Sequence, residues 1–106
     1  MIYTADFDGI KLDIQTVNAT ISSEIKLQIR RMIRRLKRHV SEINWINISL
    51  RRNANQSTNN RTVGVRLGIP ENDVFASASG LQWKFLLKRI EERLKKQLQR
   101  RKESGY

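Results

Sequence analysis

The sequence predicts an α+β domain of order βαβββα, a four-stranded sheet with two helices packed on one face. Two observations predict it. Four short stretches alternate apolar and polar residues with period two, the mark of strands with one buried face. Two longer stretches instead repeat their apolar residues with the helical period. Helices with matching apolar stripes must cover the apolar face of the sheet, which turns their polar faces outward together.

The first strand is read at Ile10, Leu12 and Ile14, which alternate with Lys11, Asp13 and Gln15. The first helix follows, with Ser22 as its N-cap. Its stripe runs Ile21, Ile25, Ile29, Met32, Ile33, Leu36 and Val40, so the helix is expected over 22–40. Ile46, Ile48 and Leu50 make the second strand, and Val63, Val65, Leu67 and Ile69 the third. The polar stretch RRNANQSTNNR, residues 51–61, joins these two as a mobile loop. Pro70, Glu71 and Asn72 supply the next turn, and Val74, Ala76 and Ala78 the fourth strand. Gly80 breaks the chain before the second helix, whose stripe is Trp83, Leu87, Ile90, Leu94 and Leu98. Residues 1–9 are expected to be an N-terminal extension, residues 10–103 a single domain and residues 104–106 a short tail.

A chain of 106 residues with 39% hydrophobic and 29% charged content has the composition of one globular domain. It lacks cysteine, which excludes disulfides, thiol redox chemistry and cysteine-ligated zinc. No apolar run approaches the roughly 20 residues of a membrane span, and Asp6 and Asp8 stand where a signal peptide would be basic. A cytoplasmic location is expected. The formal net charge is +11, which for so small a domain implies an anionic partner, most often nucleic acid.

The charge is concentrated on the two helices. Of 21 Lys and Arg residues, seven lie in 22–40 and nine in 81–103. The segment RRMIRRLKRH, residues 30–39, shows the problem this creates. Like charges three or four apart on a helix repel by about 0.2–0.5 kcal/mol per pair, so something outside the helix is expected to offset them. A basic run on one helix is ordinarily a solvated face, but two adjacent helices of the same sign form a surface. Lys26, Arg30, Arg31, Arg34, Arg35 and Arg38 on the first helix, and Lys88, Arg89, Arg93, Lys96, Arg100 and Lys102 on the second, are the candidate RNA-binding residues. With both apolar stripes used by the sheet, the helices have no face left for a membrane.

Catalysis is not expected. His39 is the only histidine and reads as a helix-end packing or capping residue. Glu91 and Glu92 read as solvent-facing charge balance among basic residues, and no metal-ligand spacing, phosphate loop or nucleophile elbow is present. No cofactor, metal or small-molecule substrate is implied. Phe85 falls opposite the Trp83 stripe, where it is expected to pack on a neighbouring loop, with stacking on a base as the alternative.

The order αβββα is shared with double-stranded-RNA-binding domains, so a topology like theirs is expected. Their histidine-bearing loop and helix-opening lysine cluster are absent, however: the corresponding stretches are RRNANQSTNNR and GLQWKF.

From Leu12 to Lys102 the chain resembles the ribosome hibernation-promoting factors, also called the ribosome-associated inhibitor or protein Y family. The most specific stretch is VFASASGLQWKFLLKRIEERLKKQLQRRKE, residues 74–103. It is similar to that family's small-residue last strand, glycine and long basic helix, with Arg93, Leu94, Lys96, Gln97, Leu98, Arg100 and Lys102 meeting the basic run. LKRHVSEINWINISL, residues 36–50, is similar to the passage from first helix to second strand, and LDIQTVNATISSEI, residues 12–25, to the opening strand and helix start. The chain departs from the pattern at Met32, Gln82, Lys84, Leu87 and Lys88, which makes the helices more basic.

The resemblance implies a short-form, monomeric, non-catalytic factor. Its helix-borne cations would contact rRNA of the small ribosomal subunit while its bulk excludes mRNA and tRNA. Ribosome pairing would need another protein. The alternatives are a general structured-RNA-binding or RNA-chaperone module, and an adaptor for an acidic protein.

Overall fold

The structure is a computed structural model that describes residues 2–55, 60–70 and 72–104, the last four of these by backbone alone. Its sheet has five strands, not four. They are β1 (Ile2–Phe7), β2 (Ile10–Val17), β3 (Trp45–Arg52), β4 (Arg61–Gly68) and β5 (Val74–Gly80), side by side in sequence order. Helix α1 (Ser23–Leu36) connects β2 to β3, and α2 (Trp83–Ser104) follows β5. All neighbouring strands are antiparallel except β2 and β3, which run parallel with Leu12 opposite Ile46 and Ile14 opposite Ile48. The parallel pair requires the crossover that α1 provides.

The additional strand comes from the N-terminal segment expected to precede the domain. Asp8 and Gly9 both have positive φ, 53° and 81°, as the two central residues of a type I′ hairpin turn require. Asp6 Oδ1 accepts a hydrogen bond from the Gly9 N–H at 2.9 Å and fixes that turn. The hairpin brings Phe7 opposite Ile10 and Ile2 opposite Gln15. The order is therefore ββαβββα, and the hairpin at one edge distinguishes it from the expected double-stranded-RNA-binding-like arrangement.

The core lies between one sheet face and the helices. Leu12, Ile14, Ile46, Ile48, Leu50, Val63, Val65 and Leu67 from the sheet meet Ile29, Met32, Ile33, Leu36, Leu87, Ile90, Leu94 and Leu98 from the helices, all nearly inaccessible to solvent. Leu86 is buried as well. Tyr3 and Phe7 extend the same layer beneath α1. The Ser22 side chain caps α1 by accepting from the Ile25 N–H at 3.2 Å, as its position predicts. The helical turn tightens at Lys37–His39 into a 3-10 segment, so α1 itself stops before the expected residue 40.

The loop expected at 51–61 is shorter because Arg51 and Arg52 extend β3 and Arg61 opens β4. Asn53 N–H donates to the Asn60 carbonyl at 2.7 Å where the strands part. Residues 56–59, the centre of the predicted mobile loop, lie outside the described residues, as does Glu71 of the predicted Pro70–Asn72 turn.

Candidate nucleic-acid interface

The two helices lie side by side and run in the same direction. Gln28 Nε2 donates to the Lys84 carbonyl at 2.9 Å. Seven residues further along both helices, Arg35 Nε and Nη2 donate to Glu91 Oε2 and Oε1 at 2.7 and 2.8 Å. The equal spacing on both sides fixes a parallel register over two turns. Since residues three or four apart share one face of an α-helix, Arg31 falls on the same flank of α1 as Gln28 and Arg35, and Arg38 follows in the 3-10 turn. Lys84, Lys88 and Lys95 fall on the same flank of α2 as Glu91. The seam between the helices is therefore bordered by cations along its length, with Glu91 as the acid inside it.

Lys26, Arg30, Arg31, Arg34 and Arg35 on α1, Arg38 in the 3-10 turn after it, and Lys88, Arg89, Arg93, Lys96 and Arg100 on α2 are all exposed. These predicted basic residues thus all reach solvent, and they spread from the outer side of the helices to the flanks that border the sheet edges. The side chain of Lys102 lies outside the described residues. Leu27, 45% exposed, is an apolar residue set among the α1 cations.

Four of these cations also serve the fold, which sequence reasoning missed. Arg35 is held by Glu91, and this hydrogen bond, reinforced by the carboxylate's charge, raises the guanidinium pKa above its already high ordinary value. Glu91, expected to face solvent, is instead an interhelical partner with 19% side-chain exposure. Arg93 donates to the Ser77 carbonyl on β5, and Gln97 Nε2 donates to the Phe75 carbonyl at 2.8 Å. These two side chains occupy outward backbone acceptors of an edge strand that would otherwise invite pairing by another chain. Lys26 and Arg34 lie over Tyr3 and Phe7, at 4.8 and 5.5 Å from the ring centroids. Both rings belong to β1, so the hairpin positions part of the α1 basic face. Lys37 reaches Asp8 at the hairpin tip, 3.7 Å away.

Two aromatic residues stand out by their exposure. Phe85 is 55% exposed, and Lys84 Nζ lies 5.6 Å from its ring centroid. Phe75, unremarked in the sequence, is 46% exposed on the sheet face that the helices leave open. That face is polar and hollow, with Lys11, Asp13, Gln15, Asn47 and Ser49 among the lining of a depression of about 470 Å³.

Among the described residues no group of three or more His, Cys, Asp or Glu is placed to hold a metal, and no helix is long and apolar enough to cross a membrane.

No family model and no curated protein matches the chain by sequence. Solved structures do match by shape. The N-terminal domain of Thermus thermophilus protein Y superposes with a TM-score of 0.68 at 18% identity, over 82% of this chain and 93% of that domain. A ribosomal subunit interface protein from Coxiella burnetii gives a TM-score of 0.61 at 18% identity, over 86% of this chain and 98% of its own. The chain therefore folds as the protein Y N-terminal domain does, and its structural neighbours match the family that residues 12–102 resemble.

Proposed function

We propose that this protein is a ribosome-binding translation inhibitor of the hibernation-factor type. It docks its paired helices on small-subunit rRNA and occupies space that mRNA and tRNA need. The observation that carries the reading is the parallel register of α1 and α2, which merges two basic faces into one surface. Both apolar stripes pack into the core, so that surface offers chiefly charge and shape, with Leu27 and Phe85 exposed among the cations. Phosphate contacts made by Lys and Arg give affinity and position, while the form of the folded RNA selects the site. The likeness in fold to protein Y and to a subunit interface protein supports the ribosome as the location of that RNA.

The residues that act in this reading are Arg30, Arg31, Arg34 and Arg38 with Lys88, Arg89, Lys96 and Arg100, joined by Lys102. Arg35 and Arg93 contribute charge while holding the helices and the β5 edge in place. Bidentate use of Arg35 by Glu91 occupies two of its five N–H donors, leaving the others for a phosphate. The protein acts as a monomer, without catalysis or cofactor, in the cytoplasm where its ribosomes are.

Sedimentation with purified ribosomal subunits tests this. The protein is expected to travel with the small subunit, to saturate near one copy per subunit, and to be excluded by pre-loading mRNA and initiator tRNA. Equal binding to loaded and empty subunits would refute occlusion, and equal binding to large subunits would favour a general structured-RNA-binding role.

A further inference from the structure

The corner where β5 meets α2 places an exposed aromatic ring beside a basic groove. The Phe75 ring lies against strand β4 at Gly64, where a Cβ would come within 3.4 Å of ring atom Cε1. Arg66, the register partner of Phe75 on β4, holds its guanidinium 4.8 Å from the ring centroid. The guanidinium lies over the ring, so the pair combines the two surfaces on which unstacked bases are held, an aromatic and an arginine plane, in one stack that a base can extend.

Phe75 also lines the groove on the other side of the corner. That groove, about 430 Å³, is bordered by Phe75, Ser77, Arg93, Lys96, Gln97 and Arg100, and no carboxylate lines it among the described residues. The Gln97 hydrogen bond to the Phe75 carbonyl and the Arg93 bond to the Ser77 carbonyl tie α2 to β5 here. The distance from ring to groove cations is therefore set by the fold and not by a loop. An aromatic and guanidinium platform beside a cationic groove matches the two halves of a nucleotide, its base and its phosphate.

We propose that this corner binds one unpaired nucleotide of RNA, its base stacked on Phe75 and Arg66 and its phosphate held by Lys96 and Arg100. The inference rests on the RNA-binding reading above and extends the contact surface from the helices onto the open sheet face. A base inside a duplex cannot reach a ring laid against a sheet, so the corner selects loops, bulges or ends. Stacking accepts any base, and Gln97, whose amide nitrogen is engaged with the backbone, is poorly placed to read base edges.

The test compares a fluorescently labelled oligouridylate with a blunt RNA duplex of equal length, using the intact protein, Phe75→Leu and Phe75→Trp. Leucine keeps an apolar side chain but removes the ring, and a melting curve for each variant verifies folding. Phe75→Leu is expected to weaken oligouridylate binding about five- to a hundredfold, the range for loss of one stacked base, and to leave duplex binding unchanged. Phe75→Trp restores the single-strand affinity. Independently of any variant, oligouridylate carrying 5-iodouridine should photocrosslink to the peptide containing Phe75. An absent crosslink, an unaffected Phe75→Leu variant, or a parallel loss of both RNAs would overturn the assignment. So would polyglutamate binding with the same Phe75 dependence, which would make the corner a site for acidic peptide. Duplex binding without oligouridylate binding refutes the corner alone, whereas failure to bind either RNA refutes the RNA-binding function beneath it.

Discussion

Glu91→Gln separates the stability of the basic surface from its affinity, because the two should move in opposite directions. The substitution removes the carboxylate that holds Arg35 and raises the net charge by one unit from +11. The bridge is bidentate, but the Arg35 side chain is 47% exposed, so solvent screening limits what the pair contributes. About 0.5–1 kcal/mol, the upper part of the range for exposed pairs, is the appropriate magnitude. For a domain of this size 1 kcal/mol corresponds to about 4–8 °C in Tm, so a fall of about 2–8 °C is expected by circular dichroism. Releasing Arg35 meanwhile gives the RNA a further cation. Affinity should rise, and the slope of log K against log salt should steepen by about 0.7–0.9 for one added phosphate contact. Measurements well below the Tm keep unfolding out of the binding result. If affinity falls while the protein remains folded, the bridge is a splint that the RNA site requires, and the expected gain from a released Arg35 is wrong.

Replacing Arg30 and Arg38 together by Ala should change stability by no more than about 0.5 kcal/mol per site, since both are exposed and lose like-charge neighbours, while RNA affinity drops in a salt titration. Leu94→Ala should cost about 2–5 kcal/mol by denaturant unfolding, because Leu94 is fully buried and its loss leaves a cavity. The reverse pattern for these two would mean that the helices face the other way. Gly9→Ala should destabilise by about 1 kcal/mol, since it forces a Cβ into the left-handed region at φ 81°, and an unchanged Tm would count against the hairpin. RNA binding should be flat between about pH 7 and 9, because the cations that carry it are Arg and Lys. The raised Arg35 pKa acts in the same sense: its contribution is complete below the unfolded value and is lost only as pH rises above it.

The two helices and the four strands β2–β5 were legible because each carries a long single-period pattern. The capping serine was legible from position alone. β1 was not read, although its signals are present: Tyr3, Ala5 and Phe7 alternate with Ile2, Thr4 and Asp6, and Asp8-Gly9 is a favoured two-residue hairpin turn. Residues 1–9 read as an extension, and Asp6 and Asp8 only as evidence against a signal peptide, whereas both aspartates serve the hairpin, Asp6 in the turn and Asp8 toward Lys37. Leu86 was missed because a one-residue stripe leaves out the neighbour on its flank, and α2 is wrapped on two sides by sheet and α1. The Arg35–Glu91 and Arg93–Ser77 contacts join residues 56 and 16 positions apart. Their formation depends on how α1, α2 and β5 are placed in space, which no local pattern encodes.

That placement explains how so basic a surface can be tolerated. Two parallel helices set side by side align their dipoles unfavourably and bring two rows of like charge together. Burial of both apolar stripes against one sheet face supplies the large offsetting term. The small ones are local: Glu91 lies in the seam, the rings of Tyr3 and Phe7 lie under Lys26 and Arg34, and the β5 carbonyls receive Arg93. None of these partners removes a cation from solvent, since Lys26, Arg34, Arg35 and Arg93 all remain exposed. The fold therefore holds its positive charges in place without neutralising most of them. A polyanion that meets this surface encounters cations already positioned, so less side-chain freedom is lost on binding than a flexible basic tail would lose.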